Sequence, residues 1–259
     1  MLTKKGEMMV AAHRGDSFNH FENTMGAFRA AIESGADMIE TDVHLTRDGH
    51  LVLMHDENIY KTAGVPGKIG EMSFKELRSL NVGGAYEPER IPTLDEFMEL
   101  ISKTDTLLNL EIKEMYTEGN EERCERCIDM SVETVLRYNY ADKMVINSFD
   151  AHVLEYVSEK YPGVFRLHGF YPYTIMKNVT RNPDDYLYCA CVFDEKKDNF
   201  DYLLTRGIEP WVGEKDTQIS RLKASFEMGA RVVTTNYPAD AISKLQAIGA
   251  RIEKGSFKV

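Results

Sequence analysis

No apolar run in this sequence approaches the roughly 20 residues that a helix needs to cross a bilayer, so no transmembrane segment is expected. Cysteine is scarce: Cys124, Cys127, Cys189 and Cys191 are the only four. The first pair falls in a helical-looking stretch and the second in a strand-like one. Neither sits in the Gly- or Pro-containing knuckle of a structural zinc site, so the four read as reduced thiols of a cytosolic protein. Basic residues are in the minority, with 31 Lys and Arg against 42 Asp and Glu and a net charge of −11. That field repels nucleic acid and anionic membranes, and neither is expected as a partner. An anionic substrate would need a local cationic site that overrides the average. The opening MLTKKGEMMVAA carries two lysines, but the apolar run behind them is too short for a signal peptide, which points to a cytoplasmic protein. Internal repeats and low-complexity tracts are absent, and nothing in the pattern sets an oligomeric state.

What is present is a rhythm. Short apolar runs at 8–12, 38–43, 107–112, 144–148, 165–169, 188–192, 209–212 and 231–235 read as strands. Helical patterns lie near 24–34, 93–103, 121–138, 151–160, 197–206, 216–228 and 238–247, while 171–187 fits no clear pattern. Continuous apolar runs mark strands buried on both faces. Eight of them with helices between read as a (β/α)8 TIM barrel. A doubly wound open sheet is the alternative, but no G-x-G-x-x-G follows the first strand. The 259 residues suit one large barrel, large enough to need no disulfide or metal to hold its core. One segment breaks the rhythm. After the hairpin turn RDGH (47–50) comes a further strand, LVLMHD, then the Gly/Pro-rich TAGVPGKIG and a short helix. The expectation is a single domain over 1–259, with a small inserted subdomain after the second barrel strand, at about 56–92, over the barrel mouth.

Polar residues gather where the strands end. Side chains two apart on a strand share a face. Glu40 and Asp42 in MIETDV can therefore both point into the barrel mouth, and Glu111 and Lys113 in LNLEIK stand in the same relation. His13 and Arg14 end the first strand, and His55 ends the extra one. Barrel enzymes build their sites on this rim. Converging carboxylates raise one another's pKa or require a cation, and an all-oxygen set suits one hard divalent ion, Mg2+ or Ca2+. Salt bridges from Arg14 and Lys113 to Glu40, Asp42 and Glu111 are the simpler alternative. His13 and His55 each end an apolar run beside a charged neighbour, and two imidazoles can divide acid and base duties near neutral pH.

The chain resembles the glycerophosphodiester phosphodiesterase family, whose barrel is related to that of the phosphatidylinositol-specific phospholipases C. The matching residues are AHRG (12–15), ENT-x-x-AF (22–28), GADMIETDVHLTRDGHLVLMHD (35–56), IPTLDEF (91–97), LEIK (110–113) and TNYP (235–238). Their order and spacing extend over almost the whole chain. The resemblance implies a barrel with an inserted subdomain, a divalent metal, and hydrolysis of a small-molecule glycerophosphodiester to sn-glycerol 3-phosphate and an alcohol. Carried over by motif, His13 and His55 are the general acid–base pair, Glu40, Asp42 and Glu111 the metal ligands, and Arg14 and Lys113 the positive groups around the phosphate. Trp211 would serve as an aromatic contact for the glycerol. The chain departs from the pattern at Phe21, at Val212-Gly213-Glu214 after the tryptophan, and at Tyr60-Lys61-Thr62-Ala63 after His55-Asp56. Two rivals stand beside this reading. A lysophospholipase D-like or sphingomyelinase-like enzyme would use Phe149, Phe170, Tyr171 and Tyr173 as an acyl groove, and a non-catalytic module would bind glycerophosphate without turnover.

Overall fold

The computed structural model describes residues 2–3, 6–214 and 217–252. In chain order it runs β1 (Met9–His13), α1 (Met25–Glu33), β2 (Met38–Leu45), β3 (Leu51–Leu53), α2 (Tyr60–Ala63), α3 (Phe74–Arg78), α4 (Leu94–Ile101), β4 (Leu107–Ile112), α5 (Glu121–Arg137), β5 (Met144–Asn147), α6 (Ala151–Lys160), β6 (Arg166–Tyr171), β7 (Cys189–Val192), α7 (Lys197–Thr205), β8 (Glu209–Glu214), α8 (Ile219–Met228), β9 (Val232–Thr235) and α9 (Pro238–Ala247). The sheet order is β1-β9-β8-β7-β6-β5-β4-β2-β3, and a β1–β2 pairing closes it. Every barrel pairing is parallel, and β3 adds to β2 antiparallel, with Val43 opposite Leu53. This is the expected (β/α)8 barrel, each predicted strand lying within a few residues of the observed one.

Strand alternation divides the core into two zones. Outward residues such as Val10, Ile39, Leu108 and Val233 pack beneath the helices with Phe28 and Phe97, whose rings meet edge to face at 4.6 Å. Inward residues Met9, Ala11, Met38, Val145, Cys189, Trp211 and Val232 plug the lower barrel. The upper barrel is then free to carry polar side chains. Residues 56–92 fold around an apolar cluster of their own, in which Ile59, Ile69, Leu77 and Ile91 are fully buried with Val52 of β3. Capping boxes fix the starts of α3 at Ser73/Glu76 and of α4 at Thr93/Glu96.

Between β6 and β7, where an outer helix would complete the ring, the chain makes only two 3-10 turns, Tyr173–Ile175 and Pro183–Asp185. Pro172 and Pro183 remove backbone donors there, and Asn182 caps the second turn by accepting from the Asp184 N–H. The segment is pinned instead by the buried Asp150 carboxylate, which accepts from Asn178 Nδ2 at 2.8 Å and from the Tyr116 backbone N–H at 2.7 Å.

Candidate active site

The C-terminal ends of the strands open into a cavity of about 530 Å³, whose lining includes His13, Arg14, Glu40, His55, Glu111 and Lys113. The turn after β1 places the first two. Arg14 takes a left-handed conformation at φ 58°, and Gly15 follows at φ 83°. A Cβ on Gly15 would lie 2.6 Å from the backbone carbon of Ala27, so only glycine lets the turn rest on α1. Thr24 caps α1 by accepting from the Ala27 N–H at 3.2 Å.

Both histidines present the same nitrogen to the cavity. His13 Nδ1 donates to Asn236 Oδ1 at 2.6 Å, and His55 Nδ1 donates to Asp56 Oδ1 at 2.7 Å. With Nδ1 carrying the proton, each Nε2 offers a lone pair. His13 Nε2 stands 3.9 Å from Glu40 Oε2. Burial, reinforced by Arg14, lowers the His13 pKa, and burial followed by Lys113 lowers that of His55. Both shifts favour the neutral imidazole over the imidazolium.

Glu40, Asp42 and Glu111 each offer a carboxylate oxygen within 4.8 Å of the other two. All three are buried. Lys113 Nζ lies 2.5 Å from Glu111 Oε1 and 3.2 Å from Asp42 Oδ1. Arg14 Nε is 3.3 Å from Asp42 Oδ2, while its outer nitrogen donates to Glu22 at 3.0 Å. Asn23 Nδ2 donates to Asp42 Oδ2 at 2.9 Å, and its own Oδ1 accepts from Thr41 at 2.7 Å. Burial opposes ionisation of Asp42, but Lys113 and Arg14 outweigh it and hold the group below its ordinary pKa. Burial, then Asp42 and Glu111, push Glu40 well above the usual carboxylate range. Burial also raises Glu111, against the pull of Lys113. The salt-bridge alternative therefore covers Asp42 and Glu111 but leaves Glu40 with excess negative charge around it. Asp42 Oδ1 is buried beside the Lys113 ammonium and makes no hydrogen bond beyond that ion pair. An all-oxygen donor set and the negative charge crowded around Glu40 fit a hard divalent cation.

The opposite wall is apolar. Phe149 and Phe170 stack with centroids 3.5 Å apart, and Phe193 stands nearly perpendicular to both at 6.1 and 5.8 Å. Phe193 is 57% exposed and marks the rim. Of the expected groove residues, Tyr171 and Tyr173 pack instead with Tyr202, away from the cavity. Trp211 is a correction. It is 0% exposed and belongs to the lower barrel plug, with its ring against His168 at 4.7 Å, so it does not reach the cavity. Gly213, two residues further along β8, lines the cavity instead, and it brings no side chain.

The sequence reading passed over Asn109, Asn147, His168 and Asn236, all of which line the cavity. Strand alternation held the signal for Asn109, which shares a face with Glu111. Asn236 sits in the quoted TNYP stretch and orients His13.

Imidazoles, cations and clustered carboxylates on the C-terminal rim of a closed barrel make the layout of a barrel enzyme. Residues 13–193 match the glycerophosphoryl diester phosphodiesterase family, and the chain belongs to it. A glycerophosphodiester phosphodiesterase of Caldanaerobacter subterraneus is 40% identical over 160 residues, which span 60% of this chain and 63% of that protein. A structure of a phosphodiesterase from Oleispira antarctica in complex with the product sn-glycerol 3-phosphate superposes with a TM-score of 0.80 at 25% identity, covering 92% of this chain and 96% of that one. At 19% identity, a putative glycerophosphoryl diester phosphodiesterase from Silicibacter pomeroyi shares the fold with a TM-score of 0.83, over 96% of both chains.

Proposed function

We propose that this chain hydrolyses glycerophosphodiesters to sn-glycerol 3-phosphate and an alcohol. His13 and His55 form the acid–base pair, and Glu40, Asp42 and Glu111 hold one divalent cation, Mg2+ or Ca2+. The observation that carries this reading is the convergence of two unblocked imidazole Nε2 atoms, three carboxylates and two cationic side chains on one cavity. The product-bound relative supports the choice of a glycerophosphate arm. Residues 1–259 are taken as one barrel domain with an insertion at about 56–92, and the four free thiols support a reducing, cytoplasmic setting.

A divalent cation held by Glu40, Asp42 and Glu111 would supply positive charge where negative charge grows on the phosphate. Arg14 and Lys113 share the remaining charge. One histidine takes a proton at Nε2 from the glycerol 2-hydroxyl, which attacks phosphorus in line, and the other protonates the departing alkoxide. Water then opens the cyclic phosphate with the roles reversed. Intramolecular attack is favoured by effective molarities of ~10⁵–10⁸ M. The Phe149, Phe170 and Phe193 wall at the open rim receives the leaving alcohol. It also favours a second reading, a lysophospholipase D-like activity in which an acyl chain lies on these rings.

A coupled assay for glycerol 3-phosphate over ethanolamine, choline and lysophospholipid headgroups tests both readings. Release from the small diesters supports the first, and release from lysophospholipids alone supports the second. No release from any would leave a non-catalytic binding module. A diester lacking the 2-hydroxyl should not turn over, and an equal rate on it would eliminate the cyclic route.

A further inference from the structure

Two polar atoms on the cavity floor are buried without a hydrogen-bond partner: Asn147 Oδ1 and His168 Nε2. Both residues line the cavity, and both are 3% exposed. They are register partners on the adjacent strands β5 and β6, so their side chains enter side by side. Asn147 Nδ2 donates to Glu111 Oε2 at 3.5 Å, which turns its Oδ1 away as a free acceptor. On the other side, His168 Nδ1 faces the Asn109 amide, 3.2 Å from Nδ2 and 3.4 Å from Oδ1. In the shorter contact Asn109 donates to Nδ1, which leaves Nε2 as the N–H and a donor into the cavity. Burial lowers the His168 pKa to about 3, so the ring is neutral and keeps one donor and one acceptor.

A free acceptor beside a free donor complements a hydroxyl, which gives one hydrogen bond and accepts another. Leaving both atoms unpaired is costly, so the site discriminates against a ligand that lacks the group. The cavity also has a direction. Its rim is open and aromatic at Phe193, whereas its floor is closed and polar. A small hydroxylated arm suits the floor, and a variable leaving group suits the rim.

We propose that Asn147 and His168 form a subsite for the terminal hydroxyl of the glycerol arm, the one that neither bears the phosphate nor attacks it. This rests on the glycerophosphodiesterase reading above. The subsite separates glycerol diesters from otherwise identical propane-1,2-diol diesters.

The test compares glycerophosphoethanol with the propane-1,2-diol diester of ethyl phosphate, which keeps the attacking hydroxyl and lacks only the terminal one. The wild-type enzyme should favour the glycerol diester by at least about tenfold in kcat/KM. His168→Phe keeps a ring and loses the donor, so the preference should fall toward one while turnover of the diol diester changes by less than about threefold. His168→Gln, which retains a donor, should restore part of the preference. Calorimetry with sn-glycerol 3-phosphate and propane-1,2-diol 1-phosphate gives a readout independent of turnover, and the same tenfold gap is expected in Kd. Equal wild-type efficiency on the two diesters would overturn the subsite and leave the phosphodiesterase reading intact. Equal loss on both in His168→Phe would reduce His168 to packing and overturn it as well. Turnover of neither diester by the wild type would remove the function and the subsite together.

Discussion

In the proposed reaction the two histidines act through one nitrogen each, Nε2, while Nδ1 is held by Asn236 or Asp56. His13→Ala and His55→Ala should each lower kcat by ~10²–10⁴-fold while KM moves little, because the imidazole acts on a proton in flight and not on the bound substrate. A near-normal kcat in either variant would remove that residue from the mechanism. Rate against pH should be bell-shaped, since one imidazole must be neutral while the other is protonated, and Asn236→Ala should narrow or displace one limb by freeing His13 Nδ1. At this scale the sequence was legible for His13, Arg14, Glu40, Asp42, His55, Glu111 and Lys113, because each lies at or beside the end of an apolar run. It was not legible for Trp211. Alternation sends Trp211 and Gly213 to the same inner face of β8, and depth along the barrel decides which one meets the cavity. Depth depends on the stagger of neighbouring strands, which no single strand encodes. The same limit hid His168 and Asn147, whose shared level is visible only once β5 and β6 pair.

Elements hold these residues in place. The β1–α1 turn is the tightest, and Gly15→Ala should misplace both His13 and Arg14. A left-handed φ and a 2.6 Å approach to the Ala27 backbone leave no room for a methyl group. Loss of kcat together with a lowered Tm is expected, and a variant of full activity and stability would show that the turn is slack. Behind the site, Glu114 ties β4 to β2 and α5. It accepts from the Leu45 N–H at 3.1 Å, from His44 Nδ1 at 3.4 Å and from Arg123 at 2.7 and 2.9 Å. Burial opposes its ionisation, but the His44 and Arg123 hydrogen bonds hold its pKa down at about 2 against an ordinary 4.5. A depressed carboxylate pKa stabilises the fold above the unfolded-state value, and that stability is lost as pH falls toward the folded one. Glu114→Gln should therefore cost about 3 kcal/mol at pH 7, with the gap to wild type closing between pH 4.5 and 2 in denaturant titrations. A gap independent of pH would place the effect in packing and not in charge. The elements themselves were readable because parallel strands buried on both faces give unbroken apolar runs. The β6–β7 connection was not, since its prolines and side-chain anchors to Asp150 leave no period to detect.

The whole molecule is an acidic barrel whose mouth sets two cations, Arg14 and Lys113, among three carboxylates. Its net charge of −11 repels an anionic diester until Arg14 and Lys113 are close, so added salt should raise kcat/KM for a charged substrate modestly by screening the long-range field. A steep fall would mean that steering by the local cations outweighs the average. The insertion at 56–92 is a satellite with its own core, and Leu77→Ala should cost ~2–5 kcal/mol there if it unfolds with the barrel. The topology was legible at this scale from the count and order of the runs, whereas which inner layer plugs the barrel and which lines the cavity was set only by closure.

The central claim is that Glu40, Asp42 and Glu111 hold a cation essential to phosphodiester cleavage. The most direct measurement is glycerol 3-phosphate release from glycerophosphoethanolamine by chelator-treated protein, before and after Mg2+ or Ca2+ is returned, beside a Glu111→Gln variant. The account predicts no turnover without metal, recovery when it is restored, and little recovery in the variant. Full turnover by the metal-free wild type would contradict it.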